Sequence, residues 1–348
     1  MISYLDEKLL IQTCRNDEGS YITPSVVDLS DVNPMVGQYA KDTKMLFPHS
    51  VLDFFKSQMG RQHPIRYYNY DMSVYRETTA VDLSAKVLRY LANYASDETA
   101  SKVSHAVITV PAYFRVAEKR ATLEAAEKAG FEHVWLMEEP VAAAVYYGYK
   151  GNKKETVLVY DLGGATFDVS AVEIDGYYYD CFLCDGDIQL GGKDWDNCMQ
   201  DIIKRKLMSA WQMDGLDLLF ELYLHYEDIA EIALKAEKAK RALTSQMTTE
   251  IKLRLNAGRE QFEVTRQEFE VETKSLLDRT IAITRSVKEK AEVKGKKITK
   301  ILMVGGSSYM PQVQERLTAE FPDVEVPGPM DPNLVVSKGA AYYGKLRF

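Results

Sequence analysis

The sequence predicts an α/β fold, large enough for two domains or one bilobal unit. Two observations carry this. Through the middle of the 348-residue chain, short β-rich runs alternate with helical segments, the pattern of a sheet covered by helices. Glycine pairs also recur after or near predicted strands, at Gly163-Gly164, Gly191-Gly192 and Gly305-Gly306. Glycine turns at the carboxyl ends of a parallel sheet are where α/β proteins bind phosphorylated ligands.

The elements follow in order. Residues 38–75 read as irregular and rich in aromatic side chains. Asp82 is placed to cap a helix whose apolar face is Leu83, Val87, Leu88 and Leu91. A β-rich run at 104–110 is stopped by Pro111; a helix at 117–129 then meets Gly130 at a left-handed C-cap. A strand is predicted at 134–137, and Glu139-Pro140 opens a compact helix ended by Gly148. Strands follow at 156–160 and 169–174, and Asp175-Gly176 signals a two-residue hairpin into 177–183. A mostly helical block covers 195–245, its best face being Ile229, Ile232, Ala233, Ala236 and Leu243. A meander (250–255 and 261–265), a charged helix (266–294) and a core strand (300–304) come last.

Composition excludes several functions. A hydrophobic fraction of 46% with 27% charged residues is ordinary for a soluble globular protein. A net charge of −8 argues against sequence-independent nucleic-acid binding, which needs an excess of Lys and Arg. No apolar run reaches bilayer length. The opening M-I-S-Y-L-D-E-K-L-L carries acids where a signal peptide needs bases, so a cytoplasmic location is expected. Four cysteines fit a reducing compartment. Cys181 and Cys184 form a C-x-x-C on a predicted strand, where residues three apart face opposite sides; no metal or redox role is expected of them.

The densest chemistry lies in V-L-V-Y-D-L-G-G-A-T-F-D-V-S, residues 157–170. It lacks the Gly-Lys-Ser/Thr of a Walker loop and the helix of a dinucleotide fingerprint. A turn of Gly163, Gly164 and Ala165 would aim successive N–H groups at phosphate oxygens, and Thr166 would add a hydroxyl. Asp161 and Asp168 would hold hydrated Mg²⁺, which keeps waters and takes one or two carboxylates. From this segment alone, a plain β-hairpin with glycine in its turn remains open. Likewise, Glu237 and Arg241 by themselves read as an i,i+4 pair on a solvated face.

Further segments occur in a fixed order: N-D-E-G-S-Y-I-T-P-S (16–25), V-I-T-V-P-A-Y-F (107–114), E-E-P-V-A-A-A-V-Y-Y-G (138–148), G-D-I-Q-L-G-G-K-D-W-D (186–196), E-K-A-K-R-A-L-T-S (237–245) and M-V-G-G-S-S-Y-M-P (303–311). With the 161–170 segment they closely resemble the nucleotide-binding domain of the seventy-kilodalton heat-shock chaperones, the DnaK type. The resemblance spans nearly the whole chain and implies an actin-like ATPase (ribonuclease H-like) fold, two lobes around a cleft that holds ATP or ADP. It implies a first lobe at 1–150, with an inserted subdomain at about 26–80. The second lobe would be 151–348, its core at 151–192 and 298–348 and its insertion at about 193–297.

The resemblance also implies roles. Asp161 and Asp168 would surround Mg²⁺ through water; Gly163, Gly164, Ala165 and Thr166 would hold the β- and γ-phosphates. Lys56, in F-F-K-S-Q-M-G, matches the lysine that positions the attacking water, and Glu139 the carboxylate that senses metal and phosphate. Pro111 and Lys119 match a proline and base that relay nucleotide state between lobes, although the family usually has Arg at the second. Glu237, Lys240, Arg241 and Thr244 match the helix that clasps ribose and adenine; Gly305, Gly306, Ser307, Tyr309 and Asn333 match the nucleoside end. Slow Mg²⁺-dependent hydrolysis coupled to lobe closure is the implied activity, with co-chaperones of the J-domain and nucleotide-exchange kinds as partners. The alternative is a non-catalytic, nucleotide-gated interaction module. A sugar or acetate kinase ranks low because no acceptor base is evident.

Some positions depart from the family pattern. The family opens with a strand and loop of the form G-I-D-L-G-T-T, half of the phosphate clamp; here the matching begins after it. Either the sequence is N-terminally truncated, which we favour because the remaining motifs look maintained for nucleotide, or it is a divergent member that has lost the motif; open strand edges in the first lobe and weakened binding and hydrolysis are expected. Ala165 replaces a third glycine, which costs about 1–2 kcal/mol if its φ is positive. Tyr309 stands where Arg is common, Asn333 where Asp is common and Thr244 where Ser is common. The chain is read as carrying no peptide-binding domain after G-K-L-R-F.

Overall fold

The computed structural model describes residues 1–61, 63–148, 154–213, 224–328 and 331–345. At its centre, strands Lys154–Leu162, Phe167–Asp175 and Tyr178–Asp187 form an antiparallel meander. Ile298–Val304 lies parallel beside the first of them. One face of this sheet presents Leu158, Tyr160, Phe167 and Val169 to helices Gly192–Ala210, Tyr226–Ala242 and Arg266–Val293, whose Trp195, Ile232 and Ile281 complete the core. The other face presents Val157, Val159, Val172 and Ile174 to Ala143 and Ala144 of helix Glu139–Gly148. Burial on both faces explains why 157–160 is continuously apolar rather than alternating.

The amino-terminal half is built in smaller pieces. Ser3–Leu5 pairs with Ile11–Thr13, and His105–Val110 pairs in parallel with His133–Glu138, as two separate two-stranded sheets. Residues 1–4 and 102–110 both border one cavity, with Leu88, Leu91 and Ala95 of helix Ala80–Thr99 forming part of its wall. Helices Ala80–Thr99 and Val116–Ala129 share a core of Leu83, Val87, Ala121 and Ala125. The short helix Val335–Gly344 crosses Glu139–Gly148 so closely that a Cβ on Gly339 would lie 1.8 Å from the Ala142 carbonyl oxygen.

Several local expectations are corrected. The cap of helix Ala80–Thr99 is Thr79, whose hydroxyl accepts from the Asp82 N–H at 3.1 Å; Asp82 sits three residues further on. The hairpin turn is Gly176-Tyr177, because Asp175 pairs with Tyr178 and Gly176 supplies φ +63°. The aromatic stretch contains helix Gln38–Asp42 and the hairpin Ile65–Asn69 with Val74–Thr78. Of the face read from 229 to 243, Ile232, Ala236 and Leu243 are buried, but Ile229 is exposed toward the cleft.

The cysteines differ too. A register shift makes Ala171 pair with Leu183 and Val172 with Cys181, leaving Phe182 as a bulge. The extra residue turns Cys181 and Cys184 to the same face, which strict alternation forbids. The lobe boundary at 150/151 and the part of the helical block at 214–223 lie outside the described residues. No helix among the described residues is long and apolar enough to cross a membrane.

Candidate functional site

The carboxyl ends of the parallel strands Lys154–Leu162 and Ile298–Val304 lie on the wall of a cavity of about 1940 Å³, the one that residues 1–4 and 102–110 also border. Asp161 and Asp168 are cross-strand partners at the end of the Lys154–Leu162 hairpin. The four-residue turn between them closes with the Gly163 N–H donating to the Thr166 carbonyl at 3.1 Å. The hairpin left open by the sequence is therefore present, and the residues expected to hold phosphate form its turn. Ala165 has no positive φ, so the methyl in place of glycine carries no backbone strain.

Neighbouring glycines lock this turn. The Gly192 and Lys193 N–H groups donate to the Gly163 and Gly164 carbonyls at 2.9 and 2.8 Å, and Ser307 Oγ donates to the Gly163 carbonyl at 3.0 Å. A Cβ on Gly191 would lie 2.4 Å from the Ala165 carbonyl carbon. Gly305, at φ +83°, approaches the Leu162 carbonyl so closely that a Cβ would lie 2.4 Å from its oxygen. Close backbone approach is what these glycines permit. Gly164 differs: a Cβ there would meet nothing within 4 Å.

Across the cleft, Lys56 Nζ donates to Glu139 Oε1 at 2.7 Å. Lys56 lies on the 3₁₀ turn Phe55–Gln58, and Glu139 opens its helix directly after strand His133–Glu138. Burial pushes Asp161 upward from the ordinary carboxylate pKa; Glu139 adds to this and Lys56 opposes it. Burial, then Asp161 and Glu139, push Asp168 up to about 8, again against Lys56. For Lys56 the cleft walls disfavour charge, yet Glu139 and Asp161 more than offset this and raise its pKa. Three carboxylates and one cation form a single electrostatic group, short of positive charge. Asp168 stands behind the wall rather than on it: Thr166 Oγ1 donates to its Oδ2 at a long 3.4 Å, and a Cβ on Gly186 would touch its Oδ1.

The residues read as the nucleoside end also line the cleft, but most are engaged by protein. Glu237 accepts from Lys41 Nζ at 2.6 Å and from Arg241 at 2.6 Å; burial works against its charge, and Lys41 with Arg241 holds its pKa below the usual range. Lys240 Nζ donates to the Gly192 carbonyl at 2.9 Å and lies 2.8 Å from Asp196 Oδ1, outside hydrogen-bond geometry. Thr244 Oγ1 donates to the Arg241 carbonyl at 2.7 Å. Tyr309 Oη donates to Asp331 Oδ1 at 3.1 Å, and Asn333 packs against Gly306. Of the relay pair, Pro111 is buried and Lys119 Nζ donates to Glu138 Oε1 at 3.0 Å.

Sequence reasoning missed Lys41, Phe54, Tyr113 and Lys193. Lys41 meets Glu237 across 196 residues, so no local pattern announces it. Lys193 Nζ lies 5.7 Å from the Phe54 ring centroid, a second contact across the cleft. Tyr113 lies within the quoted P-A-Y-F segment and was legible there. Its hydroxyl is pushed up to about 12 by burial and then by Asp168.

Fold and cleft together define a mixed α/β protein with charged and glycine-rich turns gathered at strand ends. The chain belongs to the Hsp70 protein family, whose model matches residues 5–347. It is 38% identical over 347 residues to the chaperone protein DnaK of Mycoplasmoides gallisepticum, covering 97% of this chain and 56% of that protein. It is 38% identical over 338 residues to the DnaK of Mycoplasma mycoides subsp. mycoides SC, covering 94% and 54%. The DnaK of Mycoplasmopsis synoviae is 35% identical, with the same two coverages. The chain spans about half the length of the curated relatives it matches. The resemblance read from the ordered motifs is borne out.

Proposed function

We propose that the cleft binds ATP or ADP with Mg²⁺, as the nucleotide-binding domain of a DnaK-type chaperone working in the cytoplasm. In this reading 1–150 and 151–348 are the two lobes of an actin-like fold, and their closure couples slow hydrolysis to protein folding with co-chaperones. The observation that carries it is the opposition of Asp161 and Asp168 to Lys56 and Glu139 over a turn locked by glycines.

The donor set fits the metal. Asp161 and Asp168 are pushed toward their protonated forms, and a divalent cation would supply the charge the group lacks. Mg²⁺ held there through water would neutralise phosphate charge. The chain's own residues do the rest. The turn at 163–166 offers backbone N–H groups to phosphate, and Lys56 places a cation and a donor opposite them. Lys41–Glu237 and Lys193–Phe54 bridge the two sides of the cleft and favour its closed form.

Titration calorimetry with ADP, in Mg²⁺ and then in a chelator, tests this reading. Binding that needs Mg²⁺ and falls at least tenfold in Asp161→Asn supports it; no binding in either buffer overturns it. Lys56→Ala separates catalysis from gating. Turnover lost with ADP binding kept is expected of an ATPase, whereas absent turnover in both proteins favours the nucleotide-gated module.

A further inference from the structure

Strands His105–Val110 and His133–Glu138 lead into Pro111 and Glu139, and their other ends carry two histidines that the nucleotide site proposed above does not use, His105 lying on the wall of the same cavity. His105 and His133 are register partners in this parallel pair, so both side chains leave the same face of the ribbon side by side. Their ring centroids are 4.7 Å apart with planes inclined by 41°. Both residues are exposed. Ser104 Oγ lies 2.9 Å from His105 Nδ1 and orients that ring. A partner on one nitrogen orients the ring of a metal-ligating histidine.

We propose that His105 and His133 form a surface site for a borderline divalent cation of the zinc, copper or nickel kind, bound by the two imidazoles and water. Imidazole suits these ions, whereas Mg²⁺ and Ca²⁺ prefer oxygen, so the site does not compete for the metal assigned to the cleft. The neighbouring Glu132 carboxylate is paired with Lys102 at 2.7 Å and supplies local negative charge rather than a ligand. Among the described residues, no group of three or more His, Cys, Asp and Glu side chains converges to hold a metal. The shell is therefore open, and its affinity falls short of a closed four-ligand site. A bound ion ties together the first residues of two strands whose far ends lead to the cleft, and it stabilises the folded chain by mass action.

Titration calorimetry with zinc chloride, on full-length untagged protein in saturating Mg²⁺, is the test. One equivalent of zinc is expected, with affinity falling at least tenfold in His105→Ala and in His133→Ala, and a few-fold in Ser104→Ala. Zinc should also shift the imidazole proton resonances of both histidines together in the unsubstituted protein, a readout no misfolded variant can mimic. Absence of zinc heat overturns the proposal. So does heat that survives both histidine substitutions, heat that disappears in the Cys181→Ser, Cys184→Ser double variant, or imidazole resonances that stay unmoved. Each of these readouts is independent of nucleotide binding.

Discussion

The two sides of the cleft are built by different means. The Asp161 side hangs on a four-stranded sheet whose strands Lys154–Leu162 and Phe167–Asp175 are buried on both faces, and backbone packed against backbone fixes its turn. The Lys56 side rests on one 3₁₀ turn entered through Phe54, a non-glycine residue at φ +53° that costs about 1–2 kcal/mol. Lys56 is 56% exposed and held by a single ion pair. The turn proposed to hold phosphate is set by main-chain packing, whereas the opposing cation is set by one side-chain contact. Substitutions on the first side should therefore be read in stability, and those on the second in chemistry.

The largest effect tests the packed side. Gly191→Ala and Gly305→Ala each force a methyl to within 2.4 Å of a backbone atom, and the second adds a left-handed φ. Each should cost about 3 kcal/mol or more, read as a lowered urea midpoint. A loss under about 1 kcal/mol in both would mean that the turn yields easily, and the contrast between the two sides would collapse.

Gly164 breaks the pattern from within, and Gly164→Ala follows in size. A Cβ there meets nothing within 4 Å and φ is not left-handed, so the methyl faces open cleft. Thermal stability should stay within about 0.5 kcal/mol while the Kd for Mg-ADP rises about tenfold, or about 1.4 kcal/mol. Unchanged ADP affinity would show that the turn's N–H groups do not face phosphate.

How much of this was legible follows from the range of the interactions. The hairpin around Asp161 and Asp168, the capped helix ending at Gly130 and the helix opening at Glu139-Pro140 are local events, and the sequence signals them. The convergence of Gly191 and Gly305 on one turn was suggested only by their recurrence, because the contacts depend on strands placed by the whole fold. Thr79 lost the cap to Asp82 in the reading because both residue types suit it. The bulge at Phe182, which brings Cys181 and Cys184 to one face, leaves no sequence signature. Lys41–Glu237 joins two elements that nothing local connects.

Lys41→Ala sharpens the comparison at the cleft mouth. The pair with Glu237 is partly buried, with side chains 29% and 22% exposed, and it joins two helices that, in the function proposed above, part when a ligand leaves. Stability should change by no more than about 1 kcal/mol, as for other pairs near the surface. Stopped-flow release of a fluorescent ADP analogue should quicken three- to fivefold, about 1 kcal/mol off the barrier. Unaltered release would move the rate-setting contact to Lys193 and Phe54.

The smallest effect, that of Trp195→Phe, lies inside the packed side. Trp195 is fully buried beneath the glycine turn, yet its indole N–H has no hydrogen-bond partner among the described residues. An unmet buried donor costs about 1–3 kcal/mol, while the ring itself fills the core under Leu158 and Met199. Trp195→Phe removes the donor and part of the ring, so the two terms oppose each other and stability should stay within about 1 kcal/mol. Trp195→Ala removes the ring altogether and should cost about 3–5 kcal/mol. Equal destabilisation by both substitutions would show that the N–H is satisfied in solution, and that the packed side is tighter around Trp195 than its lone donor implies.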